Sequence, residues 1–345
     1  MADLYLENGY VNARAWFEDS APFIVALGGR GIGKTFGALR ELVSGEHGKY
    51  IYMRRTQAQI DACKLAELNP FKSVNDATGS TEIIVPMGKY TAGIYKGKET
   101  DGVLKPDGAP DGIGMALSVF SNIRGVDGLG YRVLLYDEFI KESHERPIKN
   151  EGDAFLNCYE TINRNRELQG MPPLKAILLS NANDLASPVL ESLGIIEKIE
   201  KMQRTGKARS THAGGAISIY LYADSPISAE KKNTALYKVT QAGSDFENMA
   251  LSNVFSAANY EYVGTAPINE YQPVVSIGNI TAYKHKSQHI YYIVRGVKSD
   301  IHYNMLPLDI KAFRRTYWYL YEAMLNRDLF YSSAAVKIEF ENIWK

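Results

Sequence analysis

The sequence predicts an α/β fold, a parallel sheet whose buried strands alternate with helices, and three stretches carry that reading. Phe23-Ile24-Val25-Ala26-Leu27 and Val133-Leu134-Leu135-Tyr136 are continuous apolar runs of strand length, as expected where both faces of a strand are covered. Between the first run and the helically spaced Phe36-Gly37-Ala38-Leu39-Arg40-Glu41-Leu42-Val43 lies Gly28-Gly29-Arg30-Gly31-Ile32-Gly33-Lys34-Thr35. Strand, glycine loop and helix therefore follow in the order that a phosphate-cradling turn requires. With 345 residues, 45% hydrophobic and 23% charged, the chain can bury a core in one large or two medium domains.

The glycine stretch fits G-x-x-x-x-G-K-[ST], the phosphate loop of P-loop NTPases. Small residues let backbone N–H groups close around phosphates, Lys34 supplies a point charge, and the Thr35 hydroxyl suits Mg²⁺. The expected ATP-binding residues are Gly28, Gly29, Arg30, Gly31, Ile32, Gly33, Lys34 and Thr35. The second apolar run ends in Asp137 and Glu138. Asp137 is placed to hold Mg²⁺ through water, and Glu138 to polarise an attacking water. A carboxylate in that second position serves hydrolases of the additional-strand, catalytic-glutamate class; most P-loop kinases have less need of it.

Residues 1–22 place Tyr5, Tyr10, Trp16 and Phe17 ahead of the first strand, to pack on a nucleotide base or to cover the sheet edge. Lys49 to Met53 is a second strand, ending in Arg54-Arg55 at the end that faces ligands in an open α/β sheet. These arginines are candidates for contacts to phosphate, DNA or a neighbour, or for a solvated ion pair. Residues 80–120 read as a β-rich insertion, with short strands at Glu82 to Val85, Tyr90 to Tyr95 and Gly114 to Phe120. Lys89, Lys96, Lys98 and Lys105 sit on or near its turns, as solvating charges or as contacts to a phosphate backbone.

Glu151 to Arg166 reads as a helix with Phe155, Leu156, Tyr159 and Ile162 in one stripe. At about 100° per residue Arg166 returns near that stripe, whereas Arg164 lies on the opposite face, placed to reach a neighbour. Lys175 to Leu179 is another buried strand, followed by Ser180-Asn181, which can sense a terminal phosphate or simply end the strand. Val189 to Met202 reads as helical, Gln203 to Arg209 as a basic loop, and Ile217 to Tyr222 as the last strand of the domain. The expected divisions are a nucleotide domain 1–226, a helical connector 227–257 and a β-then-α unit 258–345. The last has strands near Tyr260 to Val263, Val274 to His285 and His289 to Val297, and a helix from about Asp309 to Arg327.

Lys+Arg and Asp+Glu both number 39, so the net charge is zero and any nucleic acid would be met by local patches. Cys63 and Cys158 make neither a disulfide framework nor a metal cluster and suit a reducing compartment. With no signal-like or long apolar segment, the expectation is a soluble intracellular protein without a membrane partner.

The loop Gly28-x-Arg30-Gly31-Ile32-Gly33-Lys34-Thr35 is joined by Ile51-Tyr52-Met53-Arg54-Arg55, Leu117-Ser118-Val119-Phe120 and Tyr136-Asp137-Glu138-Phe139-Ile140. Arg164-Asn165-Arg166-Glu167 and Leu179-Ser180-Asn181-Ala182 complete the set. In this order and spacing, over residues 23–183, the chain resembles the podovirus DNA encapsidation protein family, packaging ATPases related to the large terminase subunits of tailed phages. Beyond about residue 225 the resemblance rests on domain layout. It implies ATP and Mg²⁺ as cofactors, and hydrolysis coupled to translocation of double-stranded viral DNA into a procapsid. The working form it implies is a homomeric ring, usually pentameric, docked at the portal vertex in the host cytoplasm, with an RNA or protein adaptor as a further partner to consider. It also implies that Arg164 is an arginine finger donated in trans, and that Arg124 is a second basic residue reaching the neighbouring ATP. Family members often carry Lys at the Arg124 position.

In terminases the C-terminal domain is a ribonuclease-H-like nuclease, which needs several carboxylates on adjacent strands to hold two metals. The stretches 274–281 and 290–295 contain none, so the expected domain is a vestigial one that binds DNA or partners without cutting. The alternatives are a terminase that still cleaves DNA, a P-loop kinase of small molecules, and a structural connector that uses ATP only for assembly.

Overall fold

The computed structural model describes residues 4–123, 128–142, 144–223, 225–240, 255 and 257–344. The chain divides into two compact units, residues 1–195 with 201–255, and residues 196–200 with 256–345. Of the connector expected at 227–257, the described residues 227–240 and 255 group with the first unit and residue 257 with the second.

The first unit is built on one nine-stranded sheet. Its strands are β1 (Phe23–Gly28), β2 (Lys49–Arg54), β3 (Glu82–Pro86), β4 (Thr91–Thr100), β5 (Val103–Ala116), β6 (Tyr131–Asp137), β7 (Lys175–Ser180), β8 (Arg209–His212) and β9 (Ile217–Tyr222). They lie in the order β3-β4-β5-β2-β6-β7-β1-β9-β8. Neighbours from β5 to β9 run parallel, and β4, β3 and β8 add antiparallel edges. Covering both faces of a parallel sheet requires apolar strands throughout, and β9 is buried along its whole length.

Several tyrosines are core residues. Tyr50, Tyr52, Tyr136, Tyr220 and Tyr222 are buried within strands. Several find a partner for the hydroxyl, which a buried Tyr needs. Trp16 Nε1 donates to the Tyr222 oxygen at 2.7 Å, and the Tyr220 hydroxyl donates to Asp19 at 2.7 Å. Of the lead-in aromatics, Trp16 is fully buried, Phe17 stacks on His47, and Tyr5 meets Tyr222 edge-on. These three cover the sheet and its first helices.

Several local expectations change. The β-rich stretch is not set apart from the nucleotide domain, because β5 pairs with β2 from Gly112 to Ala116 and continues the main sheet. Leu117 to Phe120 is no strand but the start of a 3₁₀ helix, Leu117–Ile123. Leu117 and Phe120 are both buried, and their i,i+3 spacing suits that tighter turn. The helices of this part are α1 (Arg14–Glu18), α2 (Lys34–Val43), α3 (Gln57–Cys63), α4 (Lys72–Thr78), α5 (Glu151–Asn163), α6 (Pro188–Ser192), α7 (Ile196–Thr205), α8 (Pro226–Lys231) and α9 (Ala235–Val239). The helix expected from Val189 to Met202 is two, broken at Gly194 with φ +66°. The expected basic loop at 203–209 is shorter, residues 206–208 between the end of α7 and the start of β8. α5 stops at Asn163 and buries Phe155, Cys158 and Ile162, leaving Leu156 exposed.

Arg166 is buried, but not by the expected helical phase, since α5 ends before it; its guanidinium donates to the carbonyls of Gly128 and Tyr131. Arg55 is fully buried too. It meets Glu151 through Nε at 2.6 Å and Nη2 at 3.1 Å, and Glu145 through Nη1 at 2.7 Å. This overturns Arg55 as a contact to DNA, since no part of its side chain reaches the surface.

The second unit has a five-stranded sheet in the order β13-β10-β11-β12-β14. β10 (Tyr271–Ile277), β11 (Ile280–His285) and β12 (Tyr291–Arg295) form an antiparallel meander, flanked in parallel by β13 (His302–Tyr303) and β14 (Leu329–Tyr331). Gly278, at φ +54°, turns what the sequence offered as one strand into a hairpin. Tyr260 to Val263 is not a strand but a 3₁₀ turn followed by a single bridge to Tyr331. The expected helix near 309–327 is α10 (Pro307–Thr316) and α11 (Trp318–Leu325), bent at Tyr317; α12 (Ala334–Trp344) closes the unit. Phe313, Tyr317 and Leu320 join its core while Tyr321 stays exposed.

Removing one partner of a buried ion pair leaves the other uncompensated. Arg55→Ala should therefore destabilise the chain by about 3–5 kcal/mol in urea unfolding. Arg55→Met combined with Glu151→Met should recover much of that loss. Parent-like stability of Arg55→Ala would mean that Glu151 and Glu145 find water or other donors.

Candidate phosphate-binding site

The carboxyl ends of β2, β6, β7 and β1, consecutive neighbours in the sheet, bring Arg54, Asp137, Ser180 and Gly28 to one crevice. That is where open α/β sheets hold ligands. The loop leaving β1 needs φ +67° at Gly31 and +88° at Gly33, a region that residues with side chains rarely adopt. Gly33 also lies under the Tyr10 ring, where an added Cβ would stand 2.9 Å from Cδ1. Beyond it α2 begins at Lys34, so the first amides and positive dipole end of a ten-residue helix face the crevice. The resulting cleft, about 390 Å³, is lined by the loop together with Asp137, Glu138, Ser180 and Asn181.

Lys34 is buried, and its ammonium donates to the carbonyls of Gly28 at 2.9 Å and Gly29 at 2.7 Å and to Asn181 Oδ1 at 3.0 Å. Burial pushes it down to about 7, although Asp137 and Glu138 act in the other direction. A buried ammonium held only by neutral oxygens suits a polyphosphate, whose anionic oxygens can take the same donors. Thr35 Oγ1 donates to Asp137 Oδ1 at 2.9 Å. This hydroxyl–carboxylate pair is a hard-oxygen donor set of the kind that suits Mg²⁺, which keeps several of its waters.

The other Asp137 oxygen accepts from the Tyr52 hydroxyl at 3.1 Å and Arg54 Nη1 at 3.0 Å. Arg54 Nη2 reaches Glu138 at 2.5 Å, so one guanidinium bridges both carboxylates. Glu138 has φ +52°, a strained backbone for a residue with a side chain and one found disproportionately at functional sites. Burial raises its carboxyl above the usual carboxylate range despite Arg54, with Asp137 and Glu142 adding to the rise. Such a shift favours a general base. Ser180 Oγ accepts from the Ile140 amide at 3.3 Å and so fixes the turn that follows Glu138, whereas Asn181 touches Lys34 directly. Arg30 pairs with Glu142.

The family model of the Podovirus DNA encapsidation protein (Gp16) matches residues 10–282. The chain belongs to that family. The encapsidation match runs through the loop, the carboxylate pair and the ends of the central strands, and on to β11. Against the DNA packaging protein of Bacillus phage PZA the chain is 24% identical over 243 residues, covering 69% of this chain and 63% of that protein. Against the DNA packaging protein of Bacillus phage phi29 it is 25% identical over 235 residues, covering 66% and 60%. The match thus spans 60–63% of the length of these curated relatives. A structure of the bacteriophage Phi-29 viral genome packaging motor assembly shares the fold across 99% of each chain, with TM-score 0.64 at 17% identity.

In this encapsidation-family chain the other expected residues that are described do not line the cleft. Arg164 caps α5 at φ +51°, is exposed and does not line the cleft. Arg124 lies outside the described residues. Lys98 and Lys105 sit on a ribbon where β4 and β5 run on past β3, with Lys96 at its base beside Glu82; the pairs are Lys96 with Asp107, Lys98 with Lys105 and Thr100 with Val103. Strand alternation puts the three lysines on one face, and Glu99, Leu104 and Pro106 on the other. Lys89 is at the opposite end of β4, 5.0 Å from the Tyr90 ring. The sequence reading missed Tyr52 and Glu142. Tyr52 lies two residues before Arg54, hence on the same strand face, which was signal enough; Glu142 is on a loop with no periodicity to mark it.

The depressed value of Lys34 has a consequence of definite sign. An ordinary Lys titrates at 10.5, so between about 7 and 10.5 the unfolded chain binds the proton that the fold does not. The penalty is fully present below that window and is relieved as pH rises through it, by up to about 1.4 kcal/mol per pH unit. Unfolding of the protein alone should show this slope, and Lys34→Met should lack it. Equal slopes in parent and variant would mean that Lys34 keeps an ordinary affinity for its proton.

Proposed function

We propose that the chain is the ATPase subunit of a viral DNA-packaging motor, hydrolysing ATP to draw double-stranded DNA into a procapsid. The observation that carries this reading is the convergence of buried Lys34, the Thr35–Asp137 pair and Glu138 on one cleft, in a chain whose family is encapsidation. The donors of Lys34 pass from Gly28, Gly29 and Asn181 to phosphate oxygens, which leaves Asn181 without its lysine and makes the end of β7 responsive to occupancy. Thr35 and Asp137 would hold Mg²⁺, which when bound neutralises charge developing on the phosphates. Glu138 takes the proton of an attacking water, and must first give up its bond to Arg54, because a carboxylate committed to a guanidinium is a weak base.

In this reading the working form is a homomeric ring at the portal, pentameric by family expectation, with an RNA or protein adaptor among its possible partners. Arg164, exposed at the end of a helix that buries its other face, is the finger offered to a neighbour's ATP, with Arg124 as its companion. The second unit is a nuclease-like remnant, for none of its five strands carries an Asp or Glu with which to hold paired metals. DNA meets the lysine face of the β4–β5 ribbon. Like charges directly across a pair of strands destabilise it, and a bridging phosphate removes the conflict between Lys98 and Lys105. Arg54 is engaged by carboxylates instead.

ATP turnover with and without procapsids and DNA tests the reading. Glu138→Gln should bind ATP yet fail to hydrolyse it. Arg164→Ala should bind ATP and be inactive alone, losing on the order of 10³-fold or more, but should regain partial turnover when mixed with Lys34→Ala. Co-assembly with no recovery would put Arg164 to work within its own subunit. For the ribbon, Lys98→Ala or Lys105→Ala takes away one ammonium that neutralises a phosphate. Either variant should flatten the dependence of log affinity for duplex DNA on log salt by about 0.9. Lys89→Ala should leave the slope alone, and an unchanged slope in all three would move the DNA-binding face elsewhere.

A further inference from the structure

A third cation reaches the glycine loop from a distant part of the chain. Lys231, the last residue of α8, donates from its ammonium to the carbonyl of Arg30. The approach passes close over Gly31, where an added Cβ would stand 2.7 Å from the Lys231 nitrogen. α8 is set in place at its other end. Pro226 opens the helix, Ser225 Oγ donates to the carbonyl of Gly9 at 3.1 Å, and a Cβ on Gly9 would come within 2.9 Å of Pro226 Cβ. The residue after Gly9 is Tyr10, whose ring covers Gly33. Residues 9 and 10 are thus gripped by α8 on one side and by the loop on the other.

This placement is poor for a lysine that serves stability alone. Lys231 is half-buried, and among the described residues no carboxylate pairs with it. Burial and the Arg30 guanidinium both lower its affinity for a proton, and the Tyr237 ring lies 5.9 Å from its ammonium. Lys34, already penalised by burial, feels Lys231 and Arg30 as further unfavourable charges. Lys34 and Lys231, with Arg30 on its Glu142 partner beside them, bring positive charge to a loop whose amides also point inward, and a polyanion relieves the conflict between the two lysines.

We propose that Lys231 is a positioning residue of the phosphate site, fixing the loop through the Arg30 carbonyl and adding the charge that a nucleoside triphosphate neutralises, so that α8 registers whether the loop is filled. The inference rests on the phosphate-loop reading above. It gives the segment after the last strand a direct contact with the nucleotide loop.

Calorimetric affinity of the full chain for ATP tests it, at fixed salt and without reference to turnover. Lys231→Met should weaken binding by about tenfold, the scale of one charge-assisted hydrogen bond. Lys231→Arg should stay close to the parent, and Lys232→Met, at the exposed next position, should not change. Lys231→Gln keeps a donor for the carbonyl and loses the charge, so it too should weaken binding, and it serves if the Met variant does not fold. In the parent, amide exchange across 226–240 should slow when ATP is added, and in Lys231→Gln it should not. Parent-like affinity in Lys231→Gln, or equal weakening in Lys231→Arg and Lys231→Gln, overturns the charge role. Lys34→Ala separates the two readings. If it has lost ATP while Lys231→Gln has not, Lys231 alone is misassigned; if Lys34→Ala binds like the parent, the phosphate-loop reading falls and this inference with it.

Discussion

A buried ammonium at the end of a parallel sheet sets the terms for everything around it. Lys34 cannot sit there without acceptors, and the loop carbonyls of Gly28 and Gly29 face it only because the backbone turns through left-handed glycines. Those carbonyls and Asn181 satisfy its donors but do not balance its charge. The imbalance is useful. A phosphate can take these donors without breaking an ion pair first, because the hydrogen-bond partners of Lys34 are neutral.

The carboxylates next to it show the opposite arrangement. Asp137 and Glu138 are held by Arg54, and Asp137 also by Tyr52 and Thr35. The crevice therefore keeps its cations and anions largely apart, Lys34 on neutral oxygens and the two acids on a guanidinium from the neighbouring strand. An arriving phosphate meets the first set without competing with the second. In the proposed site Thr35 and Asp137 would hold the metal, and Asp137 would then share its carboxylate with Arg54. Arg54 also holds Glu138, so one guanidinium ties the two carboxylates together.

Much of this was legible because it is local. The β1 strand, the loop and α2 are consecutive, so their order in the sequence is already their order in space. Asp137-Glu138 was found by its apolar lead-in, and β9 by a run of residues suited to burial on both faces. What failed was of two kinds. Breaks inside apolar stretches, at Gly194, Gly278 and Tyr317, were missed because the apolar pattern continues across them while the backbone does not. Charged residues were misjudged where the partner is remote. Arg55 reads as a surface cation until Glu151 and Glu145, about ninety residues away in sequence, close on it. Lys231 is some two hundred residues from Arg30, and no spacing rule connects them.

Arg54 and Arg55 show how a single alternation in a strand divides labour. Successive side chains of a strand point to opposite faces. Arg54 accordingly turns into the crevice, while Arg55 passes to the other side and grips Glu151, the first residue of α5. α5 has 13 residues, about 20 Å of helix, and Arg164 caps its far end. The end of β2 thus anchors both the guanidinium that restrains the candidate base and the helix that carries the exposed arginine. A buried ion pair adds little net stability compared with apolar packing, but its geometry allows few alternatives. At Arg55 that restriction fixes the register between strand and helix, so that the two arginines on which the proposed chemistry depends are set from one strand end.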